Sequence, residues 1–410
     1  ADGSVSAVEI CERDPADLAH IPGADPFYQR TCVMVRVPTG SQGNEHYVLD
    51  IVRVRGGAWH DYYLHAQGRH CVVDGLTLET LPPGVSLQEA SGFSSTEERP
   101  TGAGLIRKLE AAETDRALQV TWRDVPDFRG DAPTVDTGVG LRLTMLGGKG
   151  TRVYLGEAPG QRRMSNADLG ETLRVLCARR PNGQAIDRFV AVLEPFRDEV
   201  FVRSVRELQV VEVPEGVDVV AVRVECPGQT DYVVSIAERG GGRNRAVRVP
   251  LDGGGSLETD GTLTVLTVRA GRPTGLTVAG GTHASAAGME VALQPQPHGR
   301  LLAFSDRSKT LTVRPDGQWP VEDALHGRTL IIEHDLDTTT FTIDRIEEAV
   351  PGGDLVVHLK RTPRLYDNYL SVTQVMGNML QVEPPPSLRH DFGSREYQVY
   401  RVSDGNEGQH

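Results

Sequence analysis

Short runs of alternating or continuous apolar residues, broken every few positions by glycine or proline, dominate this chain and leave little room for long helices. In residues 47–55 one face carries Tyr47, Leu49 and Ile51, and the other carries Val48, Val52 and Val54 around a single Asp50. A strand that is apolar on both faces belongs in the interior of a sandwich. Similar runs recur at residues 32–37, 141–146, 188–193, 217–224, 263–268, 330–332, 340–346 and 355–359. With 45 Gly and 25 Pro in 410 residues, turns are frequent enough to join many short strands. The expected class is all-β: a large antiparallel β-sandwich of the supersandwich type, followed by smaller β-sheet domains.

Turn chemistry gives the punctuation. Pro181-Asn182-Gly183 and Pro315-Asp316-Gly317 read as hairpin turns, and Gly147-Gly148-Lys149-Gly150-Thr151 as a hairpin tip,. The last lacks the spacing of a phosphate-binding loop. Gly240-Gly241-Gly242, Gly253-Gly254-Gly255 and Gly280-Gly281 mark further loops. The best helix candidate spans residues 105–118, where Leu105, Ile106, Leu109 and Ala112 form a helical stripe,. Length argues for more than one domain. Breaks near 210, after Val205-Arg206-Glu207-Leu208, and near 305 divide the chain into residues 1–210, 211–305 and 306–410.

A formal charge of -13 argues against nucleic acid or an anionic membrane surface as partner, since both need a dominant positive field. No stretch approaches the ~18 apolar residues of a membrane span. Cys11, Cys32, Cys71, Cys177 and Cys226 are odd in number and widely spaced, which indicates neither a disulfide framework nor a metal cage,. The opening Ala1-Asp2-Gly3-Ser4 has no leader character and reads as the continuation of a longer protein,.

Residues 47–65, Tyr-Val-Leu-Asp-Ile-Val-Arg-Val-Arg-Gly-Gly-Ala-Trp-His-Asp-Tyr-Tyr-Leu-His, carry a strand with an Asp-x-x-Arg-Val pattern into a Gly-Gly turn and then His-Asp, an aromatic and a second His. Phe27-Tyr28-Gln29-Arg30 precedes them, and Arg188-Phe189-Val190-Ala191-Val192-Leu193-Glu194-Pro195-Phe196 follows. In order and distance this set resembles the C-terminal β-sandwich portion of heparinase II/III-like polysaccharide lyases, over about residues 1–208. Residues 210–410 carry only the β pattern.

The resemblance implies a helical toroid upstream of the sandwich, with β-elimination of a uronic-acid polysaccharide between the two. The C5 proton leaves, the C4 oxygen departs, and the charge beside the uronate carboxylate must be neutralised. In the family a Tyr and a His of the toroid do the acid and base work, and a His-x-His-x-Asp segment with later residues places a zinc. All of these lie upstream, and this chain has no His-x-His. No catalytic or zinc residue is carried over, and the expected cofactor count for this chain is none. The implied partners are an acidic polysaccharide, such as a glycosaminoglycan, and the missing toroid domain or chain. The implied compartment is periplasmic or extracellular.

The densest polar cluster is His60, Asp61, Tyr62, Tyr63 and His65. Strand alternation puts Asp61, Tyr63 and His65 on one face and His60 and Tyr62 on the other. Trp59, His60, Tyr62 and His65 are the candidate substrate contacts, with Trp59 or Tyr62 stacking on a pyranose. The structural alternative is a cluster that satisfies its own hydrogen bonds inside the sandwich. Arg162-Arg163, Arg174 and Arg179-Arg180 could line a groove for a polyanion, or simply be solvated.

Glu333-His334-Asp335-Leu336-Asp337 with His358 suggests a metal, but alternation points His334 away from the acids, and a solvated edge is the expectation. Arg129-Gly130-Asp131 is too short a match to count, and there is no Gly-x-Ser-x-Gly,. Three readings follow: a lyase sandwich incomplete without its helical half, a non-catalytic carbohydrate-binding or scaffolding module, and a stand-alone enzyme using residues 60–65.

Overall fold

Pairing between distant strands organises the molecule, seen in a computed structural model. It describes residues 5–12, 27–38, 45–92 except 67 and 69, 102–123, 138–160, 172–181, 186–238 except 212, 246–293, 297–361 except 306, 321–322, 334–337 and 350–351, and 371–383 except 377–378. About two thirds of the described residues are strand and very few are helical, and every pairing between strands is antiparallel. The all-β expectation holds. The chain divides into two compact units, residues 1–296 and 297–410.

In the first unit, a seven-stranded sheet has the order β1 (Val5–Glu12), β2 (Phe27–Val37), β3 (Glu45–Arg55), β12 (Asp187–Arg197), β9 (Val139–Met145), β8 (Leu118–Arg123), β5 (His70–Asp74). A five-stranded sheet runs β4 (Trp59–Ala66), β11 (Thr172–Pro181), β10 (Thr151–Pro159), β7 (Arg107–Thr114), β6 (Glu79–Thr80). A third sheet is β13 (Ser204–Glu207), β14 (Val217–Cys226), β15 (Gln229–Glu238), β18 (Leu263–Arg269), β19 (Arg272–Ala279). The fourth is β16 (Val247–Pro250), β17 (Ser256–Thr259), β20 (His283–Ala286), β21 (Met289–Ala292).

The two apolar faces of β3 explain the stacking. Tyr47, Leu49 and Ile51 share a core with Val220, Val222 and Val233 of the third sheet. Val52 joins Tyr62, Trp122, Leu176 and Phe189 in a core against the five-stranded sheet. Val219, Ala221 and Val234 then pack on Val247, Val249 and Leu257 of the fourth. The unit is therefore four sheets deep, and truncating a wholly buried side chain such as Trp122 costs about 3–5 kcal/mol,.

Outside the five-stranded sheet lies one short helix, α1 (Leu87–Ala90). Ser86 caps it and exchanges hydrogen bonds with Glu89 in a capping box,. Its Leu87 packs with Ile106, Leu109, Tyr154, Val175 and Cys177.

The structure departs from the sequence expectations at one predicted helix and three predicted hairpin turns. Residues 105–118 are not a helix: a 3-10 turn at Gly102–Leu105 leads into β7. Pairing of β7 with β10 and β6 outweighs a helical stripe of only four apolar residues,. The turns at 147–151 and 181–183 do not close hairpins, because β9 and β12 lie in the seven-stranded sheet while β10 and β11 lie in the five-stranded one. These turns carry the chain from sheet to sheet. Asn182 and Gly183, like Gly240–Gly242, lie outside the described residues.

In the second unit the sheet order is β22 (Gly299–Ser305), β23 (Thr310–Pro315), β26 (Leu355–Leu359), β25 (Thr338–Glu348), β24 (Thr329–Glu333), and β27 (Ser371–Met376) pairs with β28 (Met379–Glu383). Leu311, Val313, Ile343, Ile346 and Val357 form its core. Pro315-Asp316-Gly317 ends β23 without returning to a neighbour, since β23 pairs with β22 and β26 and the next strand, β24, pairs with β25.

Candidate functional site

The Gly-Gly turn between β3 and β4 moves the chain from one sheet to the next. Gly56 and Gly57 have φ of 101° and 70°, in the left-handed region where a side chain is strained,. Beyond it, β4 pairs with β11 from Trp59↔Pro181 to Ala66↔Arg174 and is the edge of its sheet. Alternation then separates the cluster into an inner and an outer set.

His60 and Tyr62 are inside, each 3% exposed. The Tyr62 hydroxyl donates to Asp50 at 2.9 Å and its ring stacks on Phe189 at 5.9 Å. Asp50 also takes two hydrogen bonds from Arg30, at 2.9 and 2.7 Å. Burial, reinforced by Asp50, pushes the Tyr62 phenol well above its ordinary value,.

His60 places Nδ1 3.4 Å from Asp187 and Nε2 2.7 Å from the Gly56 carbonyl. Both partners are acceptors, so the imidazolium suits the site. Burial pulls its pKa down, but Asp187 and the Gly56 carbonyl outweigh that and the net shift is upward. Burial in turn raises Asp187, while His60 and Arg180 override it and leave the carboxyl below its usual range. Both ring nitrogens of His60 are thus engaged within the protein, and Tyr62 presents no ring face to solvent.

The outer set is Trp59, Asp61, Tyr63 and His65. Trp59 is 45% exposed and Tyr63 43%, and His65 is also exposed. The two rings lie four strand positions apart, about 13 Å. Between them Arg179 of β11 donates to both Asp61 oxygens at 2.6 Å, and its guanidinium lies 5.7 Å from the Trp59 ring centroid. Its remaining nitrogen donates to the Ser91 carbonyl at 2.6 Å, tying the ledge to the segment that follows α1. The Tyr63 hydroxyl donates to Asp61 at 3.3 Å.

Of the four candidate contacts, then, Trp59 and His65 face out and His60 and Tyr62 face in. Tyr63 and Asp61 complete the outer surface, and Arg179 is buried beneath them. Strand alternation signalled Tyr63 and Asp61; the Arg179 pairing depends on a register between residues 118 positions apart.

The arginines weighed as a groove lining or as solvated side chains are instead paired or buried where they are described. Arg174 pairs with Glu110, and Arg180 is buried between the sheets, donating to Thr151 and the Arg188 carbonyl. Arg162-Arg163, Arg129–Asp131 and residues 334–337 of the acidic motif lie outside the described residues. Among the described residues no group of three or more His, Cys, Asp and Glu side chains comes together to hold a metal ion. No helix among them is long and apolar enough to cross a membrane. No protein-family model matches the sequence, and no curated protein matches it.

Proposed function

We propose that this chain is the β-sandwich part of a polysaccharide lyase that cleaves a uronic-acid polysaccharide by β-elimination, with the outer ledge of β4 as its sugar contact. The observation that carries the reading is the row Trp59, Asp61, Tyr63 and His65 on one exposed strand face. Flat aromatic rings offer stacking surface to sugar rings, and Asp61, held in place by the buried Arg179, offers carboxylate oxygens as acceptors to hydroxyls,. The segments that resemble the heparinase II/III-like family also fold together. β2, β3 and β12 are consecutive neighbours, and β4 continues from β3.

β-Elimination needs a base at C5 and an acid at the C4 oxygen of the same sugar. In this reading the helical half supplies both, and the ledge supplies one wall of the groove. The isolated chain should release no unsaturated uronate from heparan sulfate, alginate or hyaluronan, and product should form once the helical half is added. Ultraviolet-detected product from the isolated chain would overturn this division of labour.

One observation favours a second reading, a non-catalytic carbohydrate-binding module. Arg179 and Arg174 are each matched by a carboxylate, so the ledge suits a neutral glycan as well as an acidic one. Glycan binding by the isolated chain with no activity in any mixture would select it.

A further inference from the structure

The second unit gathers cations that the ledge lacks. A shallow cleft of about 400 Å³, open to solvent, lies where the β22–β23 turn meets β25 and β26. Ser308, Lys309, Asp344, Arg345, His358 and Lys360 line it. Register brings them together: His358 pairs with Thr310 on one side and Arg345 on the other, and Asp344 falls at the break in register between Ile343 and Arg345.

The backbone of both lysines is held. The Lys309 carbonyl accepts from the Leu359 N–H at 2.9 Å, and the Lys360 N–H donates to the Thr342 carbonyl at 3.1 Å. Three permanent cations face the single carboxylate of Asp344. Glu347 sits to one side and engages Arg345 at 2.7 Å and His358 at 3.1 Å. Among the described residues neither lysine ammonium has a carboxylate partner, and Ser308 and Thr310 add hydroxyls 2.8 Å apart.

A positive cleft on a chain of charge -13 is a local field built against the whole,. We infer that this cleft binds the carboxylate or sulfate groups of an acidic polysaccharide, with Lys309 and Lys360 as the principal contacts and Ser308 as a hydroxyl donor. The inference rests on the acidic-polysaccharide reading and locates its charge recognition in the second unit, apart from the stacking ledge of the first.

The test is calorimetric titration of the full chain with heparin oligosaccharides, which carry sulfate, and with alginate oligosaccharides, which carry only carboxylate. Wild type and the variants K309A/K360A and K309R/K360R are compared after their thermal melts are matched. Binding that weakens about tenfold in the alanine variant, is retained in the arginine variant and falls with added salt supports the cleft; the stronger arm identifies the anion. Equal affinity in wild type and K309A/K360A overturns the cleft and leaves the polysaccharide reading standing. Absence of binding to either oligosaccharide by wild type overturns both.

Discussion

The Tyr47 hydroxyl donates a 3.0 Å hydrogen bond to Asp231, joining β3 to β15 through the core between the first and third sheets. Asp231 has no solvent exposure and also accepts from Gln229 and Thr267. Burial raises its pKa despite these donors. Tyr47→Phe keeps the ring and removes one donor from a carboxylate that water cannot reach. A loss of about 1–2 kcal/mol in urea denaturation is expected.

A second link between the same sheets is ionic. Asp218 of β14 accepts from Arg53 at 2.8 Å and from Arg188, and Arg53 has no exposure at all. Asp218→Ala removes the carboxylate facing that buried guanidinium and leaves it neutral partners, the Gln29 side chain and the Ser235 carbonyl among them. The expected cost is about 3–5 kcal/mol, whereas Arg53→Met with Asp218→Leu should cost less, because no charge is left in the core; Arg188, which loses Asp218 in both variants, is partly exposed to solvent. Equal destabilisation of the two variants by chemical denaturation would contradict this account.

His60 makes stability depend on pH. Its folded pKa lies above the unfolded value of about 6.5,. Its contribution is therefore full below that value and is lost as pH rises through the folded pKa. Melting temperature should decline as pH rises above about 6.5 in wild type, and His60→Gln should flatten that decline. The partner carboxyl, Asp187, is shifted down, so its contribution is present above about 3.8 and lost as pH falls further.

Trp59→Ala and Tyr63→Ala remove exposed rings and should change folding stability by less than about 1 kcal/mol. Under the proposed function they abolish or strongly weaken glycan binding. Measured by titration beside thermal melts, unchanged binding in both would remove the ledge as a sugar contact.

The sequence made β3 legible as an interior strand because its apolar residues fall on both faces, and the structure puts a different core on each. Alternation likewise separated His60 and Tyr62 from Asp61, Tyr63 and His65. Partners distant in sequence were not legible. Arg179–Asp61, Tyr47–Asp231 and Arg53–Asp218 all depend on pairings and stackings that local patterns do not encode. The misread turns at 147–151, 181–183 and 315–317 share one cause: glycine and proline report that the chain reverses, not which strand it meets next. Four apolar positions at 105–112 were too few to tell a helix from a paired strand.

The pairing of β3 with β12 sets a schedule for synthesis. Val54 meets Asp187, so on a ribosome adding about 5–20 residues per second β3 waits roughly ten seconds for its neighbour. During that wait a strand destined for the middle of the sheet is an open edge, offering bare backbone to any nascent chain nearby. Asp50 and Arg53, wholly buried in the finished protein, are charges set within that edge, and charge is what discourages a stray strand from docking there. The same two side chains that later find Arg30, Tyr62 and Asp218 thus guard the template before its proper neighbour emerges.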